Sequence, residues 1–480
     1  MSGRISWRLC WLNSKNEEFS VDFPIATTWP ILSSTRKPSC MRTGKLARVV
    51  SAAEAAAVVR SGDWVDYGFG VGQPDAFDQA LAGLRAELSR VRIRSALSLR
   101  ERAVLTSDPQ AESFQWLSWH FSGYDRRQSD AGRAGYIPMN FGEAPDYYRR
   151  FLDPVDVVCL KTTPRDAAGN FNFGASTTYH HAMIERARTV IVETCDAMPH
   201  VEGEQCSIPA GAVDYVIEGP ATALPELKFP PPTEVDHRVA SLIAEEVENG
   251  SCLQIGIGGM PNAVCSLLRE SGVRDLGIHT EMLVDGVIDL IEAGRVTGRC
   301  KSIDRDRLVF TFAAGTRRQY DFIHRNPAVK ACPVDYTNLP DMIARNDRVV
   351  SINNTTQIDL QGQCASETDG HRHLTGTGGQ LQFVRGAYAS RGGKSFICLA
   401  STYERRGEVK SRIVPRLTPG NIVTTPRTDV MYVVTEYGKV NLKGRSVPER
   451  ARALIGIAHP QFRDELEREA RAAGLIPRGA

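Results

Sequence analysis

"SGDWVDYGFGVGQPDAFDQAL", residues 61 to 81, and "NGSCLQIGIGGMPNAVCSLL", residues 249 to 268, carry one pattern twice. Each starts beside a glycine, runs as a short apolar strand into a glycine-rich turn, and continues through Pro-x-Ala into a helical period. The interval from Gly62 to Gly68 equals that from Gly250 to Gly256, and Pro74 to Leu81 equals Pro261 to Leu268, so the copies differ by one residue inside the turn. Both follow an amphipathic helix pattern, "SAAEAAAVVR" and "RVASLIAEEVE". Such self-similarity argues for two α/β units of one kind. Between them "LKFPPPTEVD" (227 to 236) sets three prolines without amide donors in a row, a natural linker with its boundary near Phe229. The expected organisation is an α/β domain over 41–229 and a second over 230–480, two similar open units with largely parallel sheets.

The rest of the chain agrees with that class. Strand-like runs such as "VDVVCLK", "TVIVETC", "RVVSINN" and "KSFICLAS" alternate with helix-like ones such as "HHAMIERA" and "LPDMIARN", the alternation that builds parallel sheets with covering helices. The C-terminal "SVPERARALIGIAHPQFRDELEREARAAG" reads as two helices, with Pro448 near the start of one and Pro460 opening the other. Residues 1–40 stand apart. Trp7, Trp11 and Trp29 fall there without helical or strand period, and the segment reads as an extension outside the fold, either a product of start-codon choice or a docking arm.

Composition narrows the function. Lys plus Arg (58) nearly cancels Asp plus Glu (56) for a net charge of +2, so there is no concentrated basic excess for nucleic acid or an anionic membrane. A small-molecule partner is expected. The 11 cysteines are scattered without a CxxC pair, as reduced thiols of a cytoplasmic protein would be. No run reaches the roughly 18 apolar residues of a membrane-spanning helix.

The chemistry concentrates around three stretches. "GIGGMPNA" (256 to 263) follows a strand and opens a helix, the setting in which backbone amides receive an anion. A dinucleotide fold is the rival reading: Glu281, in "DLGIHTEMLVDG" (275 to 286), lies where such a fold keeps its ribose-binding acid, yet the third glycine is missing and Met260-Pro261 interrupts the turn. A second glycine cluster, "HLTGTGGQLQFVRGAYASRGGKSFICL" (373 to 399), supplies Gly376, Gly378 and Gly379 and then Lys394. Two sets of amide donors beside one carboxylate suit a reaction that develops charge on a carbonyl oxygen, with Glu281 as nucleophile. The plain alternative is a helix-start acid solvated at the surface. No Ser/His/Asp set or metal cluster competes; His180, His181, His371 and His373 lack ligand partners at helical spacing and read as ordinary histidines. His279, two residues before Glu281 on a strand, shares its face and is a candidate to orient it.

Taken together, "GIGGMPNAV", "DLGIHTEM", "PVDYTN", "SINN", "TGTGGQLQFVRGA", "GGKSFICL", "SRIVP", "YVVTEYGKVNLKG" and "RARALIGIAHPQFRDEL" resemble the acetyl-CoA hydrolase/transferase family of coenzyme A transferases, from about Val50 to the last helix. Within it, "SGDWVDYGFG", "FQWLSWHFSG" and "NFNFGAS" most resemble the butyryl-CoA:acetate transferases and their itaconate-handling relatives. The resemblance implies that Glu281 is the nucleophile. Its carboxylate would attack an acyl-CoA to give a mixed anhydride, then carry CoA as a glutamyl thioester that an acceptor acid opens, with ping-pong kinetics. It implies oxyanion and CoA contacts from Gly256, Ile257, Gly258, Gly259 and Met260, from Asn353, and from Gly376, Gly378 and Gly379, with Lys394 as a phosphate contact. Coenzyme A is then a substrate, no cofactor or metal is permanently bound, and a homo-oligomer is expected. A hydrolase of the same family shares every motif.

One departure concerns the acceptor. Gln382 stands where the relatives carry an aspartate, and "SLRERAV" (98 to 104) replaces an uncharged stretch. The resulting expectation is an acceptor pocket involving Gln73, Arg100 and Glu101, in which Arg100 or Arg102 pairs with the second carboxylate of itaconate or succinate through a forked contact.

Overall fold

The computed structural model describes residues 8–12, 18–22, 46–220, 222–227, 230–256 and 258–477. Two compact units result, Met1–Met41 and Arg42–Ala480. The first contains an antiparallel pair, Arg8–Leu12 with Glu18–Asp22, in which Leu12 faces Glu18. The sequence reading found no period there. "EFSVD" does alternate over its five residues, but its partner "RLCWL" does not, so the strand signal rested on one short arm. The remainder of residues 1–40 and the boundary at Phe229 lie outside the described residues.

The second unit holds two main sheets. The first contains β1 (Arg48–Val49), β2 (Trp64–Phe69), β3 (Val91–Ala96), β4 (Phe114–Ser118), β5 (Ala134–Tyr136), β6 (Val157–Thr162), β7 (Thr189–Thr194) and β8 (Tyr215–Glu218), in the spatial order β1-β8-β7-β6-β2-β3-β4-β5. Every pairing in it is parallel. The second contains β9 (Cys252–Ile255), β10 (Gly277–Ile278), β11 (Val349–Asn354), β12 (Lys394–Cys398), β13 (Tyr432–Thr435) and β14 (Gly438–Asn441), ordered β10-β9-β11-β12-β13-β14. It is parallel except for its closing hairpin, β13 with β14. Strands of a covered parallel sheet bury both faces and need continuous apolar runs, which is why "VVCLKT" of β6 is buried at all six positions.

Four helices matter for the site: α1 (Ala76–Gly83), α2 (Gly259–Glu270), α3 (Val334–Asn338) and α4 (Gln380–Ala389). The duplicated motif forms β2–turn–α1 in the first sheet and β9–turn–α2 in the second. Both turns pass through left-handed backbone, Gly70 at φ +54° and Gly258 at +122°, where a side chain would be strained. Strands from 48–218 and 252–441 do not mix between the main sheets, yet one apolar core spans both, placing Phe69 and Val158 in the same cluster as Val287 and Phe312. Bridges Asn140–Gly378, Ser176–Phe312 and Gly203–Ala331 tie the halves.

β2 and β9 are the strands on either side of which their sheets run in opposite sequence order. In open α/β sheets such switch points leave a crevice beyond the carboxyl ends of the strands. Among the described residues no helix is long and apolar enough to cross a membrane. Nine cysteines are described there; all are free, and all but Cys300 are buried.

Candidate active site

A cavity of about 290 Å³ opens where the carboxyl ends of both sheets converge. Phe69 ends β2 and Leu97 follows β3; Ile255 and Gly256 close β9, and Asn353 and Asn354 close β11. Its walls divide by character. Phe69, Leu97, Trp119, Met139, Phe141 and Phe312 make an apolar end, with Phe69 stacked on Phe141 at 4.9 Å and edge-on to Phe312 at 4.7 Å between ring centres. Gln254, Asn353, Thr355, Thr356 and Ser366 make a polar end. Glu281 lines the same cavity, and no lysine or arginine does among the described residues.

Glu281 reaches this place because its strand changes sheets. β10 pairs with β9, but after His279 and Thr280 the chain leaves that edge, and Met282–Leu283 pairs instead with Phe312–Ala313. The Glu281 carbonyl accepts hydrogen bonds from the amides of Thr311 (3.0 Å) and Phe312 (3.3 Å), which fixes the backbone. Its carboxylate accepts one from Asn338 Nδ2, at the end of α3, at 2.5 Å, and one from the Gly379 amide. Burial raises the Glu281 carboxyl from 4.5 to about 7, while the Asn338 and Gly379 donors hold it down. A carboxyl in this condition is partly ionised near neutral pH and weakly solvated. Gly379 has to be glycine, because a Cβ there would collide with the Glu281 carboxylate and the Asn338 amide. Gly378, at φ +57°, turns the chain to make that approach.

His279 does not orient Glu281 directly, as its shared strand face suggested. Its Nε2 meets the Thr337 carbonyl at 2.9 Å, and burial lowers its pKa to about 4, so the ring is neutral. Thr337 donates to Asn338 Oδ1 at 2.8 Å, so His279 acts through the end of α3 and the direct partner is Asn338. "PVDYTN" contained this residue, but nothing in the spacing linked it to a glutamate 57 positions earlier.

The other sequence-derived candidates divide. Gly256, Asn353, Gly376, Gly378 and Gly379 line the cavity with Glu281; Asn353 Nδ2 donates to Gln254 Oε1 at 3.0 Å. Gly258, Gly259 and Met260 do not line it: they form the entry to α2, where Met260 is buried in the core and Gly259 lies against Asp236. Ile257 lies outside the described residues. Lys394, expected at a phosphate, is paired with Glu246 (2.9 Å) and Glu248 (3.3 Å).

Gln73, Arg100 and Glu101, the residues expected at an acceptor pocket, do not line this cavity. Gln73 donates to Ser95 Oγ (2.6 Å) and the Ala96 carbonyl (2.9 Å). Arg100 pairs with Asp75 at 2.5 Å and donates to the Ala223 carbonyl. Arg102 is buried against the Pro74 carbonyl (2.8 Å) and Asp75 (3.3 Å), and Glu101 is exposed. Asp75 therefore collects both arginines, and Lys161 as well. Gln382 is also internal: its Oε1 accepts the Gly142 amide at 2.8 Å, so it fastens α4 to the first half of the chain and does not face an acceptor.

Several cavity residues went unread in the sequence. His120 contacts Thr375 Oγ1 at 2.9 Å, and burial, with His373 nearby, lowers its pKa to about 4, making it a neutral wall. Gln380, first residue of α4, lines the cavity with its Nε2 buried and without a partner among the described residues. The second glycine turn is clamped from both halves: the Thr377 amide donates to Tyr136 OH in the first half at 3.0 Å, and Thr377 Oγ1 to Glu367 in its own half at 3.1 Å.

Comparison with known proteins gives a consistent picture. Residues 37–227 match the acetyl-CoA hydrolase/transferase N-terminal domain, and residues 315–470 the acetyl-CoA hydrolase/transferase C-terminal domain. The chain is 45% identical to the butyryl-CoA:acetate CoA-transferase of Anaerostipes caccae over 431 residues, covering 89% of this chain and 97% of that one. Among solved structures it resembles RipA from Yersinia pestis, with a TM-score of 0.82 and 38% identity over 89% of this chain and 98% of the other. It also resembles a 4-hydroxybutyrate CoA-transferase from Porphyromonas gingivalis, with a TM-score of 0.73 and 33% identity over the same shares.

Proposed function

The chain belongs to the acetyl-CoA hydrolase/transferase family as a coenzyme A transferase, and on that premise we infer that it moves CoA between a short-chain acyl-CoA and a small monocarboxylic acid such as acetate through Glu281. The observation that carries this reading is the Glu281 carboxylate itself, raised to about 7 and held by Asn338 and Gly379 in a cavity lined by both apolar and polar side chains.

In the first step a carboxylate oxygen of Glu281 attacks the thioester carbonyl, forming a glutamyl–acyl anhydride and releasing the CoA thiolate. The thiolate then attacks the glutamyl carbonyl, giving a glutamyl-CoA thioester and freeing the original acid. The acceptor carboxylate repeats the sequence in reverse, and the thioester's energy is retained. Negative charge develops on a carbonyl oxygen in each addition. The Gly379 amide and Asn338 Nδ2, both already directed at the Glu281 carboxylate, stabilise it on the glutamyl side. Coenzyme A enters as a substrate, and no resident cofactor takes part in these steps.

The cavity walls favour a monocarboxylic acid. A second carboxylate would sit among Phe69, Phe141, Phe312 and Met139 with no lysine or arginine lining the cavity among the described residues, and an unpaired buried charge costs several kcal/mol. Acetate, butyrate and similar monocarboxylates fit, whereas the itaconate and succinate suggested by Arg100 do not. The test is a panel of butyryl-CoA and acetyl-CoA against acetate, butyrate, 4-hydroxybutyrate, succinate and itaconate, with CoA release followed separately from CoA transfer. Parallel double-reciprocal lines and a preference of about tenfold or more for monocarboxylates are expected. Itaconate accepted as well as acetate would overturn the substrate assignment, and CoA release without transfer would make the enzyme a hydrolase.

A further inference from the structure

A second cavity, of about 470 Å³, lies at the opposite end of the first sheet. Its walls come from where strands begin: Arg90 and Arg92 at β3, Ser113 before β4, and Arg133 before β5. Along β3, Arg92 and Leu97 are five residues apart, so this cavity and the catalytic one are separated by about 16 Å of extended strand.

The cavity contains a row that a covered parallel sheet does not ordinarily carry. Trp64 pairs in register with Arg92, and Arg92 with Gln115; the pairing of Trp116 with Ala134, taken one residue back, sets Gln115 beside Arg133. In-register neighbours share a face, so two arginines flank one glutamine. The next row shows how this fold treats an arginine that it needs only for structure. Arg94 is neutralised by Asp66 through two hydrogen bonds of 2.8 and 2.7 Å, and Tyr148 donates to the same aspartate at 2.6 Å. No carboxylate pairs with Arg90, Arg92 or Arg133 among the described residues. Arg92 lies over the Trp64 ring at 5.0 Å, which orients its fork, and Arg133 Nε is buried without a hydrogen-bond partner. The one carboxylate in the wall, Glu112, is paired with Arg85 at 3.2 Å.

We propose that this cavity binds a small anion bearing a diphosphate or two phosphate groups, at a site separate from the catalytic cavity. Arg92 on β3 and Arg133 just before β5 stand two strand positions apart, about 10 Å between backbones, a span too wide for one carboxylate but suited to two linked phosphates, each met by one guanidinium. Gln115 between them supplies an amide donor, and Arg90 at the exposed rim adds attraction. The acyl and acceptor chemistry of Glu281 does not use this site.

The test is isothermal titration of the full chain with inorganic pyrophosphate, run on the parent and on variants of the cavity arginines. One saturable site per chain is expected, weakening as salt rises, and weakened about tenfold or more in Arg133→Gln and in Arg92→Gln, with CoA transfer rates unchanged. Arg90→Gln, at an exposed position, provides a variant whose folding is not at issue and should weaken binding more mildly. Absence of a saturable site, or the parent's affinity retained in all three variants, would overturn the proposal. So would a change of oligomeric state in the variants, since the arginines would then be meeting a second copy of the chain.

Discussion

Replacing Glu281 should make the protein more stable at alkaline pH. Glu281 has its carboxyl raised from 4.5 to about 7 by burial. An acid raised in this way contributes its full stability below its unfolded pKa and loses that stability as pH climbs through the folded value, because the native state then holds a charge the unfolded chain carries more easily. Moving a carboxyl from 4.5 to about 7 corresponds to roughly 3 kcal/mol. Glu281 is partly open to its cavity, and solvent screening leaves about 1–2 kcal/mol of that. Glu281→Gln keeps the shape, keeps an oxygen for Asn338 Nδ2 and the Gly379 amide, and removes the charge. Urea denaturation at fixed protein concentration should therefore show the variant about 1–2 kcal/mol more stable than the parent at pH 8, with the difference shrinking toward zero near pH 4.5. A variant less stable at pH 8, or a difference independent of pH, would refute the assignment of a strained, desolvated carboxylate.

Three further outcomes follow from the same geometry. For the free enzyme, kcat/KM should rise with pH to a plateau with a midpoint near 7, the value for Glu281; Asn338→Ala, by removing a donor that holds this value down, should move the midpoint upward and slow transfer by about tenfold or more, seen in a pH–rate profile. Gly379→Ala should abolish transfer while leaving coenzyme A binding measurable, because the added Cβ displaces Glu281 and Asn338 and not the polar end of the cavity. Arg100→Ala should change the preference between acetate and itaconate by less than about twofold, since its guanidinium is engaged by Asp75 and the Ala223 carbonyl; selective loss of itaconate turnover would restore it to the acceptor pocket.

What the sequence made legible was set by local chain chemistry. The β2–turn–α1 and β9–turn–α2 repeats are written in apolar runs, glycines and prolines a few residues apart, and the fold sets both turns at the carboxyl ends of parallel strands. Glu281 stood out because an acid at the end of an apolar strand asks for a reason. Asn338 did not, because its meeting with Glu281 depends on the strand leaving β10 for the Phe312–Ala313 pair, a tertiary event with no local signature. Arg100, Arg102 and Lys394 were read as available cations. Their partners, Asp75, Glu246 and Glu248, lie 25 to 148 positions away, and a one-dimensional reading of charge cannot tell a satisfied arginine from an unsatisfied one. The apolar walls of the cavity were hidden for a related reason. Phe69, Phe141 and Phe312 look like core residues individually and become a pocket only where two sheets converge.

The most direct measurement of the central claim is the intact mass of the protein after brief incubation with butyryl-CoA in the absence of acceptor. A species heavier by one coenzyme A less one water, lost on adding acetate, absent from Glu281→Gln, and mapped by borohydride reduction and peptide sequencing to the segment containing Glu281, is the expected result. An adduct on another residue, or undiminished CoA transfer by Glu281→Gln, would contradict the account.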